Sequence, residues 1–255
     1  MELALAVVDS FTALPFAGNP AAVTVLDAFF EDSLLGAVAR EMNLSETAFL
    51  VRRPDGDHDL RWFTPLAEVD LCGHATLAAA HTLGGAGRFH TRSGVLTCTK
   101  NGEWIEMDLP SDEPVAGAQP EGLGLPAVRS YQRGRTDALV ELGDAAAVRG
   151  LVPDLDALAR LGTRAVIVTA AGDRAGIDCV SRVFGPNVGI PEDPATGSAH
   201  CTLAAFWGGR LGRDELVGEQ ASARGGIVRM RRAGDRVVVS GQAVTVSRVE
   251  MTIPG

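Results

Sequence analysis

At 255 residues, with 46% hydrophobic and 22% charged side chains, the chain reads as an ordinary globular protein of one large or two small domains. Its net charge of −9, with no offsetting Lys/Arg cluster, excludes nucleic acid as an expected partner. The first apolar run, residues 3–8, is too short for a signal or a span, and no apolar stretch reaches about 18 residues, so a cytoplasmic protein with no membrane partner is expected.

Residues 3–9 read as a strand, joined through the loop PFAGNP to a second strand at 21–26, rich in β-branched side chains. Residues 31–42 place Leu34, Leu35 and Val38 on one helix face, with Asp32 or Ser33 as cap. Strands are expected at 47–52 and 60–63, followed by a turn at Pro65 and Glu68-Val69-Asp70. From Gly73 the run ATLAAAHTL has small side chains on every side, the pattern of a buried central helix, and Gly84 to Gly87 stop it. Strands at 95–99 and 104–109 complete the first half.

Residues 110–126 are rich in Pro, Gly, Ala and acid. That composition places a linker at 113–126, between an N-terminal half, 1–112, and a C-terminal half, 127–255, whose last strand can return to the first. The second half repeats the theme, with a strand at 138–142, a helix at 154–160 and strands at 165–169 and 180–184. A turn at 185–197, a second central helix at 199–207 and strands at 228–232, 237–240 and 243–251 follow. Mixed, mostly antiparallel strands around one helix, twice over, make an α+β architecture.

Two segments are near copies of each other. Arg61-Trp62-Phe63-Thr64-Pro65 precedes Gly73-His74-Ala75, and Arg182-Val183-Phe184-Gly185-Pro186 precedes Gly197-Ser198-Ala199, at offsets of 121 and 124 residues. Each runs strand, turn, buried helix. Helix N-termini carry unpaired N–H groups and a partial positive charge. Duplicated halves would turn two such ends toward one cleft, suited to a carboxylate or an enolate-like anion.

The stretch GPNVGIPEDPATGSAH is the richest in chemistry. Gly197 permits close backbone approach, Ser198 and its neighbours can donate to an oxyanion, and Asp193 can act as a tuned acid or base. Alternatively, Asp193 or Thr196 simply caps the helix. His74, at a helix start, is expected as a neutral, hydrogen-bonding imidazole, because the dipole disfavours its charged form; the alternative is a satisfied structural histidine. Glu46 sits where a strand end could aim a carboxylate into the cleft, though taken alone it reads as an exposed loop acid. Asn19 either lines the cleft or only shapes a turn. His81 and His200 are expected to pack within the two helices, and His58 and His90 to lie in surface loops. Lys100, the single lysine, has no surroundings that fit a Schiff base. Cys72, Cys98, Cys179 and Cys201 lack C-x-x-C spacing, so free thiols are expected and no metal site.

The segments DSFT…PFAGNPAAV, NLSETAFL, RWFTPLAEVDLCGHATLAAA and GIPEDPATGSAH, in order from Asp9 to Trp207, resemble the phenazine-biosynthesis PhzF-like family, a branch of the diaminopimelate-epimerase-like fold. The resemblance implies two pseudo-symmetric domains, each a β-barrel-like mixed sheet wrapped around a central helix, with the active site in the cleft between them. It implies cofactor-free proton transfer on a small carboxylate-bearing metabolite, and a homodimer. It places the general acid/base on Glu46, the cleft histidine and aspartate on His74 and Asp193, and backbone contacts on Gly73, Gly197 and Ser198. Epimerase relatives use two opposed cysteines. Cys72 fits the first position, but Pro194 stands where the second is expected and Cys201 lies one turn too deep, which argues against a two-thiol racemase. Cys72 is then expected to be a small buried hydrophobe. The expected function is isomerisation through Glu46; the alternative is a metabolite-binding or protein-interaction member of the fold without catalysis.

Overall fold

The computed structural model describes residues 1–253, which fall into two compact units. The first combines Met1–Asp108 with the segment from Ser240 onward; the second is Leu109–Val239. Residues 113–126, read above as a linker, lie within the second unit.

In the first unit, β1 (Glu2–Ser10) pairs antiparallel with β2 (Asn19–Leu26), and β2 lies parallel to β3 (Glu46–Arg52) across α1 (Asp32–Met42). β3 pairs antiparallel with β4 (His58–Phe63). One end of β4 takes the two-residue β5 (Glu68–Val69) antiparallel. Its other end takes β6 (Gly87–Thr91) parallel, after α2 (Gly73–Thr82) has intervened. β7 (Gly94–Asn101) and β8 (Trp104–Pro110) extend this as antiparallel neighbours.

The second unit repeats that plan. β9 (Val115–Ala116) and β10 (Ser130–Arg133) pair, and β10 runs antiparallel to β11 (Ala138–Glu141). β11 lies parallel to β12 (Val166–Ala171) across α3 (Ala145–Arg149) and α4 (Leu155–Ala159). β12 pairs antiparallel with β13 (Cys179–Gly185), which takes β14 (Ile190–Asp193) antiparallel. Beyond α5 (Gly197–Leu211), β13 takes β15 (Glu215–Gln220) parallel, and β15 pairs with β16 (Gly226–Ala233). After β17 (Arg236–Gly241), β18 (Ala243–Thr252) re-enters the first unit and pairs with β1 along its whole length, with a bulge at Val7/Val8.

Each mixed sheet wraps a central helix in the barrel-like manner expected from the sequence. Residues 74–80 of α2 are all buried, and the helix packs on β1, β2, β3 and β18. Residues 199–208 of α5 are buried in the same way, with β15 and β16 against the helix. Alanine-rich surfaces permit this, because small side chains let strands close on every side of a helix. Gly241 shows how closely: a Cβ there would lie 2.4 Å from Cδ1 of Phe11 and 2.8 Å from Cδ1 of Leu77.

The duplicated R-x-F segments have a structural explanation. Residues i and i+2 share one face of a strand. The Arg61 guanidinium lies 5.1 Å from the Phe63 ring and forks onto Glu68 with two 2.7 Å bonds. Arg182 lies 5.0 Å from the Phe184 ring and forks onto Glu192 at 2.7 and 2.9 Å. Each clamp ties a long strand to the short strand just before the central helix.

Several short elements differ from the expectation. Glu68–Val69 and Ile190–Asp193 are strands where turns were expected, because pairing with β4 and β13, not side-chain pattern, defines them. β6 and β15 were not anticipated. His58 and His90 lie in strands, and Nε2 of His90 is 2.8 Å from Asp57. Among the described residues, no helix is long and apolar enough to cross a membrane.

Candidate active site

The first unit gathers Glu46, His74, Cys72, Asn19 and Gly73 at one end of its sheet. Asn43 closes α1 in the left-handed conformation (φ 48°), its N–H bonded to Ala39 O, and the chain enters β3 at Glu46 itself. In the register of the parallel pair, Glu46 stands opposite Ala21, two residues into β2 from Asn19. Asn19 is fully buried and accepts a 3.0 Å bond from Ser45 Oγ through its Oδ1. Glu46 is therefore held in a buried strand end and is only 7% exposed; the exposed-acid reading is wrong.

His74 is the second residue of α2, after Gly73, and Cys72 is the helix N-cap. Ser10 Oγ donates to the His74 carbonyl at 2.8 Å, and Thr76 Oγ1 to the Cys72 carbonyl at 2.5 Å, fixing the helix start to β1. Nε2 of His74 lies 3.0 Å from Oε2 of Glu46. Both atoms are buried and neither makes an aligned hydrogen bond, so they are in ion-pair contact and still lack a directed partner. On its other side, Nδ1 of His74 lies 3.5 Å from Cys72 Sγ.

Burial works against a charge on His74, but the neighbouring Cys72 and Glu46 outweigh it and hold its pKa well above the usual 6.5. Burial also pushes the Cys72 thiol up to about 11, with the Glu46 charge adding to the effect. The direction for His74 is opposite to the neutral imidazole expected from the helix dipole.

Glu46, Cys72 and His74 each offer a metal-ligand atom within 4.8 Å of the others. The thiol faces Nδ1 of the imidazole and the carboxylate faces Nε2.

The second unit gathers Asp193, Gly197 and Ser198. Asp193 ends β14 and is half-buried; Gly197 and Ser198 open α5. The N-cap of α5 is Thr196, whose side chain makes no cap bond; its hydroxyl donates to the Asp193 carboxylate instead. Ser198 Oγ accepts a 3.2 Å bond from Arg164, which also forks onto the buried Asp137. The two helix starts are matched at Cys72 and Thr196, so Thr196, not Pro194, stands where a second thiol would be.

His200 is fully buried, and burial pushes it down to about 4 while its Nδ1 bonds the Thr196 carbonyl at 2.8 Å. It is a neutral packing residue, as expected, as is the half-buried His81, whose Nε2 lies 3.1 Å from Thr245 Oγ1. The sequence reading missed Ser10, Ser45, Arg164 and Gln220. Ordinary polar residues at strand ends carry no local signal, and only the fold brings them to these helix starts.

The sequence model of phenazine biosynthesis-like proteins, PhzC-PhzF, matches residues 8–249, nearly the whole chain. The chain belongs to this family. Among relatives, a protein of Pseudomonas aeruginosa named an uncharacterized isomerase is 49% identical over 95% of this chain and 96% of its own. Another uncharacterized isomerase, from Halalkalibacterium halodurans, is 45% identical over 99% and 100%. The crystal structure of a PhzF family protein from Enterococcus faecalis superposes with a TM-score of 0.94 at 38% identity, covering 99% of this chain and all of that one. The PhzC-PhzF fold is thus shared from end to end.

Proposed function

We propose that this protein is an isomerase that shifts a proton, without a cofactor, on a small carboxylate-bearing metabolite, with Glu46 as the general acid/base. The observation that carries the proposal is the Glu46–His74 pair, a buried carboxylate 3.0 Å from a buried imidazole with no aligned hydrogen bond on either atom. Family membership and relatives named as isomerases support the reaction class.

Glu46, as the carboxylate beside a protonated His74, accepts a proton from an activated substrate carbon. The C–H electron pair passes into the substrate's conjugated system as its charge falls by one. The charge of the Glu46–His74 pair rises by one at the same moment, so the residual imidazolium stabilises the anion where it forms. Glu46 then returns the proton to another carbon, and the balance closes. Gly73 at the start of α2, and Gly197 and Ser198 at the start of α5, are assigned to binding anionic oxygen through backbone N–H groups. Asp193 is assigned to orienting substrate and relaying protons, and Asn19 to holding the segment that carries Glu46.

The test is incubation in D₂O with a panel of amino acids, hydroxy acids and a dihydro-hydroxyanthranilate, followed by NMR detection of carbon-bound deuterium. Wild-type protein is expected to label one compound or more. Glu46→Gln is expected to lose about 10²–10⁴-fold in labelling rate while still binding that compound. A Glu46→Gln protein that labels at the wild-type rate sinks the assignment of Glu46. A wild-type protein that binds a panel compound but labels none favours the non-catalytic reading.

A further inference from the structure

Gln220 is the last residue of β15, and it is completely buried. Its amide is spent on the Asp193 turn. Nε2 donates to the Asp193 carbonyl at 2.7 Å and to Thr196 Oγ1 at 3.2 Å, while Oε1 accepts from the Thr196 N–H at 2.8 Å. Two residues on, Ser222 Oγ donates to the Pro194 carbonyl at 2.7 Å. The end of β15 and the residues just after it therefore grip the turn at Asp193 O, Pro194 O and the Thr196 N–H. Pro194 supplies no N–H, and the Thr196 side chain makes no cap bond to the helix.

The bonds also have a direction. An amide nitrogen can only donate, so the Thr196 oxygen accepts from Gln220 and turns its own hydrogen to the Asp193 carboxylate. Gln220 thereby sets both where the turn lies and which way the Thr196 hydroxyl points.

We propose that Gln220 is a positioning residue for Asp193 and for the N-terminus of α5. It acts through the turn and the Thr196 hydroxyl, and it touches no substrate. The role in turnover rests on the isomerase reading above; the clamp itself does not, and the experiment separates the two.

Gln220→Met keeps the side chain's length and removes every bond. Amide hydrogen exchange of the substrate-free protein is expected to show the Thr196 N–H losing about tenfold or more of its protection, while the interior of α5, residues 201–208, stays as in wild type. With the panel compound that wild-type protein deuterates, kcat is expected to fall by up to about 100-fold with KM within about twofold, the mark of a misplaced group rather than a lost contact. Gln220→Glu, assayed alongside, is expected to recover activity as pH falls, because a protonated carboxyl again offers one donor and one acceptor. Unchanged Thr196 protection in Gln220→Met overturns the clamp. Protection lost equally throughout α5, with kcat and KM shifting together, overturns positioning in favour of general stability. If wild-type protein binds a panel compound and deuterates none, the isomerase reading falls, and Thr196 protection still decides the clamp.

Discussion

Glu46 Oε2 and His74 Nε2 are 3.0 Å apart, one on the first residue of a strand and the other on the second residue of a helix. Both side chains are buried, and they meet there in ion-pair contact.

That coupling has a pH signature. The folded-state pKa of His74 is raised above the unfolded 6.5 by Cys72 and Glu46 against the opposing effect of burial. The stability it contributes is fully present below 6.5 and is lost as pH rises through the folded value. Urea unfolding from pH 6 to 10 is expected to show a decline in wild type that Glu46→Gln lacks. Equal slopes in the two proteins refute the coupling.

His200 behaves in the opposite sense. Burial holds its folded pKa near 4, so between 6.5 and 4 the unfolded chain takes up a proton that the folded chain refuses. Stability should fall with pH across that window, at most by roughly 1.4 kcal/mol per unit from this one group. His200→Gln should be flatter than wild type over the same range, whatever its stability at pH 7. A variant that tracks wild type would show that His200 does not titrate as buried.

The four cysteines are buried thiols, none of them in a disulfide. Burial lifts Cys72 to about 11, and Cys98 and Cys179 to about 12. An aromatic disulfide reagent at pH 7.5 should therefore find almost no reactive thiol in native protein and four after denaturation. Rapid modification of Cys72, with loss of deuterium labelling, would revive a thiol-based racemase.

Gly18 is a third point of sensitivity. It has φ +61°, and a Cβ there would sit 2.1 Å from the Ser10 carbonyl oxygen. Ser10 also holds the His74 carbonyl, so the damage reaches the Glu46–His74 pair. Gly18→Ala is expected to cost about 2 kcal/mol or more in chemical denaturation, from left-handed strain plus the clash. A change below about 0.5 kcal/mol would show that the loop yields freely.

Much of this was legible in the chain. The alanine-rich runs after Gly73 and Gly197 announced buried helices, because no other arrangement uses so many small side chains at once. The repeated R-x-F pattern was visible too, and it proved to be a guanidinium stacked on a ring and forked onto a glutamate. What stayed hidden depends on contacts between distant segments. Glu46 reads as a loop acid until β2 and β3 pair around it, and His74 reads as neutral until Glu46 is beside it. Gln220 lay in a strand that no periodicity marked, 24 residues from the Thr196 it holds.

The return of β18 to β1 carries a consequence for how the protein is made. Ser10 finds its partner in Ala243, synthesised more than two hundred residues later. One edge of β1 must wait unpaired while the whole second unit is produced, a long exposure for a hydrophobic strand. The second unit lies within the sequence of the first like a parenthesis in a sentence, and the outer clause closes last. The helix that carries His74 packs on β18 as well, so its last strand neighbour also arrives at the end of synthesis.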